Sequence, residues 1–169
     1  KNLINFSKTK KSPISIDLII SNTIKAKGLK FANQYQIKKR IFNFKNIKTT
    51  EKKLFILLKK NKIKFICLAG FMKILSSKFI KQFNGKIINI HPSLLPRYKG
   101  LNTHSRAIQN KDKFSGCTVH YVTEKLDSGK IIMQKKIKIL KKDTPSSLAR
   151  KILKQEHKIY PKAILKIFN

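Results

Sequence analysis

Residues 64–91, KFICLAGFMKILSSKFIKQFNGKIINIH, decide the fold. Lys64–Ala69 and Lys86–Ile90 are short β-branched runs bounded by turn signals, the pattern of buried strands. Between them, Met72–Phe83 reads as a helix, with Ile74, Phe79, Ile80 and Phe83 on one face. Working upstream, Ile14–Ser21 reads as another strand, and Ala26–Gln36 and Thr49–Asn61 as helices, the latter with Leu54, Leu57 and Leu58 on its apolar side. Strands alternating with helices in this rhythm predict a parallel sheet with helices on its faces. Downstream of His91 the rhythm changes. Thr103–Asn110 is a short helix, Cys117–Thr123 and Ile131–Leu140 are long strands, and Pro145–Ile167 closes the chain as an amphipathic helix started by Asp143-Thr144-Pro145. The fold class is α/β with a mixed sheet.

Composition narrows the function. The chain has 169 residues, 40 Lys or Arg against 7 Asp or Glu, and a formal charge of +33. Apolar residues make up 41%, too many for a disordered polycation. One domain with a proper core is expected over residues 1–169. No apolar run reaches the ~20 residues of a membrane helix, so no membrane partner is expected. Only two cysteines are present, Cys67 and Cys117, in no metal-ligand spacing; neither a disulfide framework nor a metal site is expected. The compartment implied is reducing and cytoplasmic.

The charge raises the question of a nucleic-acid partner. Its make-up points elsewhere. Arg40, Arg97, Arg106 and Arg150 are the arginines, and every other basic residue is lysine, although bidentate recognition of phosphates and base edges leans on arginine. With Ile, Asn and Phe also abundant and Trp absent, compositional drift toward AT-rich codons is the better account. A positive field still raises the local concentration of small anions.

Chemistry concentrates in NIHPSLLPRYKG, residues 89–100. Asn89 ends a predicted strand and His91 opens the loop beyond it, where ligands bind in open α/β sheets. Being two apart, both side chains project to one side. Pro92 and Pro96 stiffen the loop, and a cis bond at one of them fits such a turn. Asp127 lies in a tight L-D-S-G turn between the two long strands. A carboxylate beside an imidazole favours the imidazolium. A charged His next to an Asn amide makes two donors suited to an oxyanion, with the His/Asp pair handling protons from an attacking amine. No serine or cysteine nucleophile stands in a recognisable elbow, so direct attack by a substrate amine is the economical reading. Taken singly, Asn89 and His91 also read as a polar strand end, and Asp127 as a turn residue.

Four linked motifs carry a resemblance. LAGFMKIL, NIHPSLLPRYKG, GCTVHYVTEKLDSG and QEHKIYP, in this order and spacing, resemble the phosphoribosylglycinamide formyltransferases. The resemblance covers nearly the whole chain and is strongest from Cys67 to Pro161. It implies a three-layer α/β/α formyltransferase fold with a mostly parallel, mixed central sheet and a Rossmann-like N-terminal half. The implied activity is transfer of the formyl group of 10-formyltetrahydrofolate, a co-substrate, to the amine of glycinamide ribonucleotide in purine biosynthesis. No metal is implied, the partners are those two small molecules, and a monomer or homodimer is expected.

The family's catalytic Asn, His and Asp match Asn89, His91 and Asp127. The folate site would take Met72, Lys73, Ile74 and Leu75, then Thr123, Glu124, Lys125, Leu126 and Asp127, with Asn89. Lys73 stands where the family often has arginine, which keeps the charge and loses the planar fork. Glu156 and His120 match residues on the ribonucleotide side, although a solvated helix face and a core histidine would look the same. The family opens with a strand and a Gly-rich phosphate loop, absent ahead of Lys1-Asn2-Leu3, so the chain is expected to be a fragment that binds the ribonucleotide poorly. Related readings are formyltetrahydrofolate deformylase and methionyl-tRNA formyltransferase; a reading from another class is a lysine-rich, non-enzymatic nucleic-acid-binding remnant.

Overall fold

The computed structural model describes residues 1–169, which divide into two compact units, Lys1–Ile66 with Phe71–Lys86 and Cys67–Gly70 with Ile87–Asn169. The first unit runs α1 (Asn2–Ser7), β1 (Leu18–Ser21), α2 (Leu29–Gln34), β2 (Lys38–Ile41), α3 (Ile47–Lys60), the start of β3 (Phe65–Leu68) and α4 (Ser77–Gln82). Strands β1 and β2 pair in parallel, Leu18 opposite Lys38 and Ser21 opposite Ile41. The packing anchor is α3. Asn46 caps it by accepting the Thr49 N–H through its side chain (3.1 Å), and Leu54 and Leu58, one turn apart, are buried. Each such side chain contributes about 1.5–3 kcal/mol of burial. Buried Phe79 joins Phe55 edge-on (6.5 Å) and stacks on Phe83 (6.3 Å). Glu51, also buried on α3, accepts from both the backbone N–H and the hydroxyl of Ser76, the cap of α4.

The second unit holds β4 (Lys86–His91), α5 (Thr103–Gln109), β5 (Phe114–Tyr121), β6 (Ile131–Lys138) and α6 (Pro145–Phe168), and its sheet runs β3–β4–β5–β6. Both β4/β5 and β5/β6 are antiparallel whereas β1/β2 is parallel, so the fold holds the parallel and antiparallel strands of the mixed α/β class expected from sequence, the parallel pair lying in a separate two-stranded sheet. The register puts Asn89 opposite His120 and His91 opposite Thr118. Leu148, Ile152, Ile159, Tyr160, Ala163 and Ile164 form the buried stripe of α6, which packs on β5 and β6. Tyr160 sends its hydroxyl into the core to donate to the Leu68 carbonyl (2.8 Å). The start of α6 is a capping box, with the Thr144 hydroxyl accepting from Ser147 N–H (3.2 Å) and the Ser147 hydroxyl from Thr144 N–H (3.0 Å). Just upstream, Asp143 accepts from Leu140 N–H, Ser147 Oγ and Lys151 Nζ, all within 2.8 Å. No helix is long and apolar enough to cross a membrane.

Several elements differ from their sequence reading. The strand expected over Ile14–Ser21 forms only at Leu18–Ser21, and the helix expected over Ala26–Gln36 only at Leu29–Gln34. The Met72–Phe83 helix begins at Ser77, because the Ser76 side chain caps it by accepting the Phe79 N–H. Residues 72–76 are therefore irregular, and Ile74, expected on a buried face, is 63% exposed. β2 carried no signal: its residues, Lys-Lys-Arg-Ile, are all exposed, so no apolar alternation marks them.

Candidate functional site

The site is built on the paired strands β4 and β5, where Asn89 faces His120 and His91 faces Thr118. Asn89 and His91 alternate with buried Ile88 and Ile90 along β4 and so share a face, where His120 faces Asn89 across the ladder. Asp127 arrives from the β5–β6 connection. It sits at φ 44°, a left-handed conformation that Asp tolerates in turns, and nearby Gly129 lets the loop close. A Cβ at Gly129 would lie 1.8 Å from the Tyr121 carbonyl oxygen, so only glycine fits that approach.

The sequence-named trio comes together. His91 Nδ1 lies 3.3 Å from Asp127 Oδ2, with the two side chains 5% and 8% exposed. Asp127 Oδ2 also accepts the Gly100 N–H at 2.9 Å, and Oδ1 lies 3.6 Å from His120 Nε2. His91 Nε2 donates to the Tyr98 carbonyl at 2.8 Å. Both ring nitrogens of His91 thus face oxygen atoms. His120 is different. Its Nδ1 donates to the Tyr121 carbonyl (2.9 Å), and burial holds its pKa below the usual histidine value despite that bond and Asp127. A neutral ring leaves the Nε2 lone pair to face the Asn89 amide nitrogen at 3.5 Å.

The loop after His91 is pinned from below. The Thr118 hydroxyl donates to the Ser93 carbonyl (2.7 Å) and accepts from the Leu95 N–H (3.1 Å) and Gln134 Nε2 (2.9 Å). Gln134 Nε2 also donates to the Leu95 carbonyl (2.8 Å). Leu95–Pro96 is the cis peptide, one of the two positions expected to hold one.

Glu156 lies on α6, half-buried, and burial pushes its carboxyl up to about 7. Thr123, Glu124, Lys125 and Leu126 are exposed in the loop that delivers Asp127, Leu126 at 50%. In the first unit, Met72 and Ile74 are 69% and 63% exposed on irregular backbone, Lys73 is exposed between them, and Leu75 is buried. Sequence reasoning missed the backbone partners, the Tyr98 carbonyl and the Gly100 N–H, along with Thr118 and His104. Side-chain chemistry does not announce a peptide oxygen. Gly100, at φ 78°, was the visible signal. His104, on α5, is a buried-edge histidine whose Nδ1 has no partner; burial, then the nearby His91, lowers its pKa.

The family model for formyl transferase matches residues 1–164. The chain belongs to the formyl transferase family. Among its relatives, the phosphoribosylglycinamide formyltransferase of Haemophilus influenzae is 43% identical over 155 residues, 90% of this chain and 73% of that protein. The human trifunctional purine biosynthetic protein adenosine-3 is 39% identical over 165 residues, 96% of this chain; the chain spans only 16% of that protein's length. The crystal structure of phosphoribosylglycinamide formyltransferase from Brucella melitensis superposes with a TM-score of 0.91 at 40% identity, covering 98% of this chain and 87% of that one.

Proposed function

We propose that this chain transfers the formyl group of 10-formyltetrahydrofolate to the amine of glycinamide ribonucleotide, in purine biosynthesis and in the cytoplasm, acting as a single-domain monomer or homodimer with no nucleic acid, membrane or metal required. The observation that carries this reading is the assembly of Asn89, His91 and Asp127 within one cluster, in a chain 43% identical to a relative of that name.

The formylated folate brings an electrophilic carbon, and the exposed Leu126, in the loop that delivers Asp127, suits its apolar, partly aromatic body. Asn89, through the amide N–H not turned to His120, and His91, through an Nδ1–H shared between Asp127 Oδ2 and the formyl oxygen, donate to that oxygen as it gains charge. As the amine forms its C–N bond, Asp127 with His91 receives the proton it sheds. The same pair returns a proton to the folate nitrogen as its bond to the formyl carbon breaks. Glu156 and His120 serve the ribonucleotide side.

The test offers glycinamide ribonucleotide, methionyl-tRNA and water alone as acceptors. Transfer to the ribonucleotide alone supports the proposal. Formylated tRNA, or formate released with no acceptor consumed, replaces it with one of the related reactions.

A further inference from the structure

The ring of His91 is held at Nε2 by a peptide oxygen, and that oxygen belongs to an unusually constrained residue. Tyr98 sits at φ 54°, a left-handed conformation that is unfavourable for a bulky residue and persists only where its surroundings enforce it. Its surroundings are a clamp. The Tyr98 hydroxyl donates to Asp112 Oδ2 at 2.7 Å and accepts from Asn110 Nδ2 at 2.9 Å and Arg97 Nη2 at 3.1 Å. Arg97 closes the triangle on Asp112 Oδ1 at 2.8 Å. The Arg97 and Arg106 guanidinium carbons lie 5.1 and 5.0 Å from the Tyr98 ring centre, and Arg106 Nη1 donates to the Lys99 carbonyl at 2.8 Å.

The geometry points to Asp112, acting through Tyr98, as a positioning residue for His91. The phenol is a lever with the peptide group at its other end. Fixing the hydroxyl on Asp112 fixes the torsion that aims the Tyr98 carbonyl at His91 Nε2. With Nε2 held there, the imidazole turns Nδ1 to Asp127. Asp112 touches none of the reacting groups, so its effect falls on the orientation of His91. The members of the clamp are unequal. The Asp112 side chain is 10% exposed and that of Arg97 is 61% exposed, so solvent screens the Arg97 pairing while the bond from the phenol to Asp112 is protected. The surface ion pair is dispensable and the carboxylate–phenol bond is not.

The inference rests on the proposed function only in taking His91 as a reacting group, and it has a readout that needs no turnover. The experiment follows the imidazole nitrogen resonances of His91, assigned by their loss in His91→Asn, together with kcat and both KM values. It compares Asp112→Ala, Asp112→Asn, Tyr98→Phe, Arg97→Ala and Asp143→Asn, the last a control that weakens the α6 cap. We expect Asp112→Ala and Tyr98→Phe to shift the His91 Nε2 resonance and lower kcat on the order of tenfold, with both KM values within about twofold. Asp112→Asn, whose carboxamide oxygen still accepts from the phenol, restores most of both. Arg97→Ala and Asp143→Asn leave the resonance in place. An unmoved His91 resonance in both Asp112→Ala and Tyr98→Phe overturns the inference, and so does an equal shift in Asp143→Asn. Should Tyr98→Phe fail to fold, the Asp112 pair decides. Should the unaltered chain formylate no acceptor, the proposed reaction falls and the resonance still decides the clamp.

Discussion

Asp127 Oδ2 and His91 Nδ1 stand 3.3 Å apart, and the Gly100 N–H holds the same carboxylate oxygen at 2.9 Å. The carboxylate is thus fixed by the backbone and does not follow the imidazole. Replacing Asp127 by Asn keeps shape and size and removes the charge. Asp127→Asn should lower formyl transfer by on the order of 10²–10⁴-fold, with a thermal midpoint close to the parent's. A parent-like rate would remove Asp127 from the proton route.

Glu156 makes a pH prediction. Burial raises its folded pKa to about 7, above its unfolded value near 4.3. The folded state therefore binds the extra proton between those values, and stability falls as pH rises through that window. The strain is absent below about pH 4 and complete above about pH 7. Glu156→Gln should resist denaturant better than the parent at pH 8 and equally at pH 4, while its KM for the ribonucleotide rises. Equal midpoints at pH 8 would mean that the carboxylate is already solvated.

The sign reverses for Asp143. Hydrogen bonds from Lys151 and Leu140 hold its carboxyl down at about 2. Its stabilisation is present above the unfolded value near 3.9 and is lost as pH falls toward about 2. Asp143→Asn should therefore lower the thermal midpoint at pH 7 and change it little at pH 2. A uniform loss at both pH values would assign the effect to hydrogen-bond geometry and not to charge.

These residues also show what the sequence made legible. Asn89 and His91 were readable because a two-residue period fixes their shared face once the apolar run around them marks a strand. The capping of α6 was readable from Asp143-Thr144-Pro145 because a cap is local chemistry. The meeting of Asp127 with His91 was inferred from what an imidazole needs, and distance along the chain gave no sign of it. Ser76 shows the opposite failure. The apolar spacing over Met72–Phe83 suggested one helix, but the capping side chain of Ser76 starts it at Ser77 and leaves Ile74 exposed. β2 was silent because an exposed strand made of Lys-Lys-Arg-Ile buries no side chain and so needs no pattern.

The formal charge of +33 gives a prediction that needs no particular partner. If it is compositional, DNA, heparin and polyphosphate should bind alike at low salt, and all binding should fall steeply between about 50 and 200 mM salt. One polyanion that persists at the higher salt while the others are released would mark a dedicated surface.

Asn89 and Asp127 are proposed to act with His91 as one formyl-transferring unit. Single-turnover transfer to glycinamide ribonucleotide should be compared for the parent, Asn89→Ala, Asp127→Asn and the double variant. Groups that act together lose most of their effect with the first removal, so the double variant should be scarcely slower than the slower single one. Two independent losses that multiply in the double variant would contradict the account, as would near-parental transfer in either single variant.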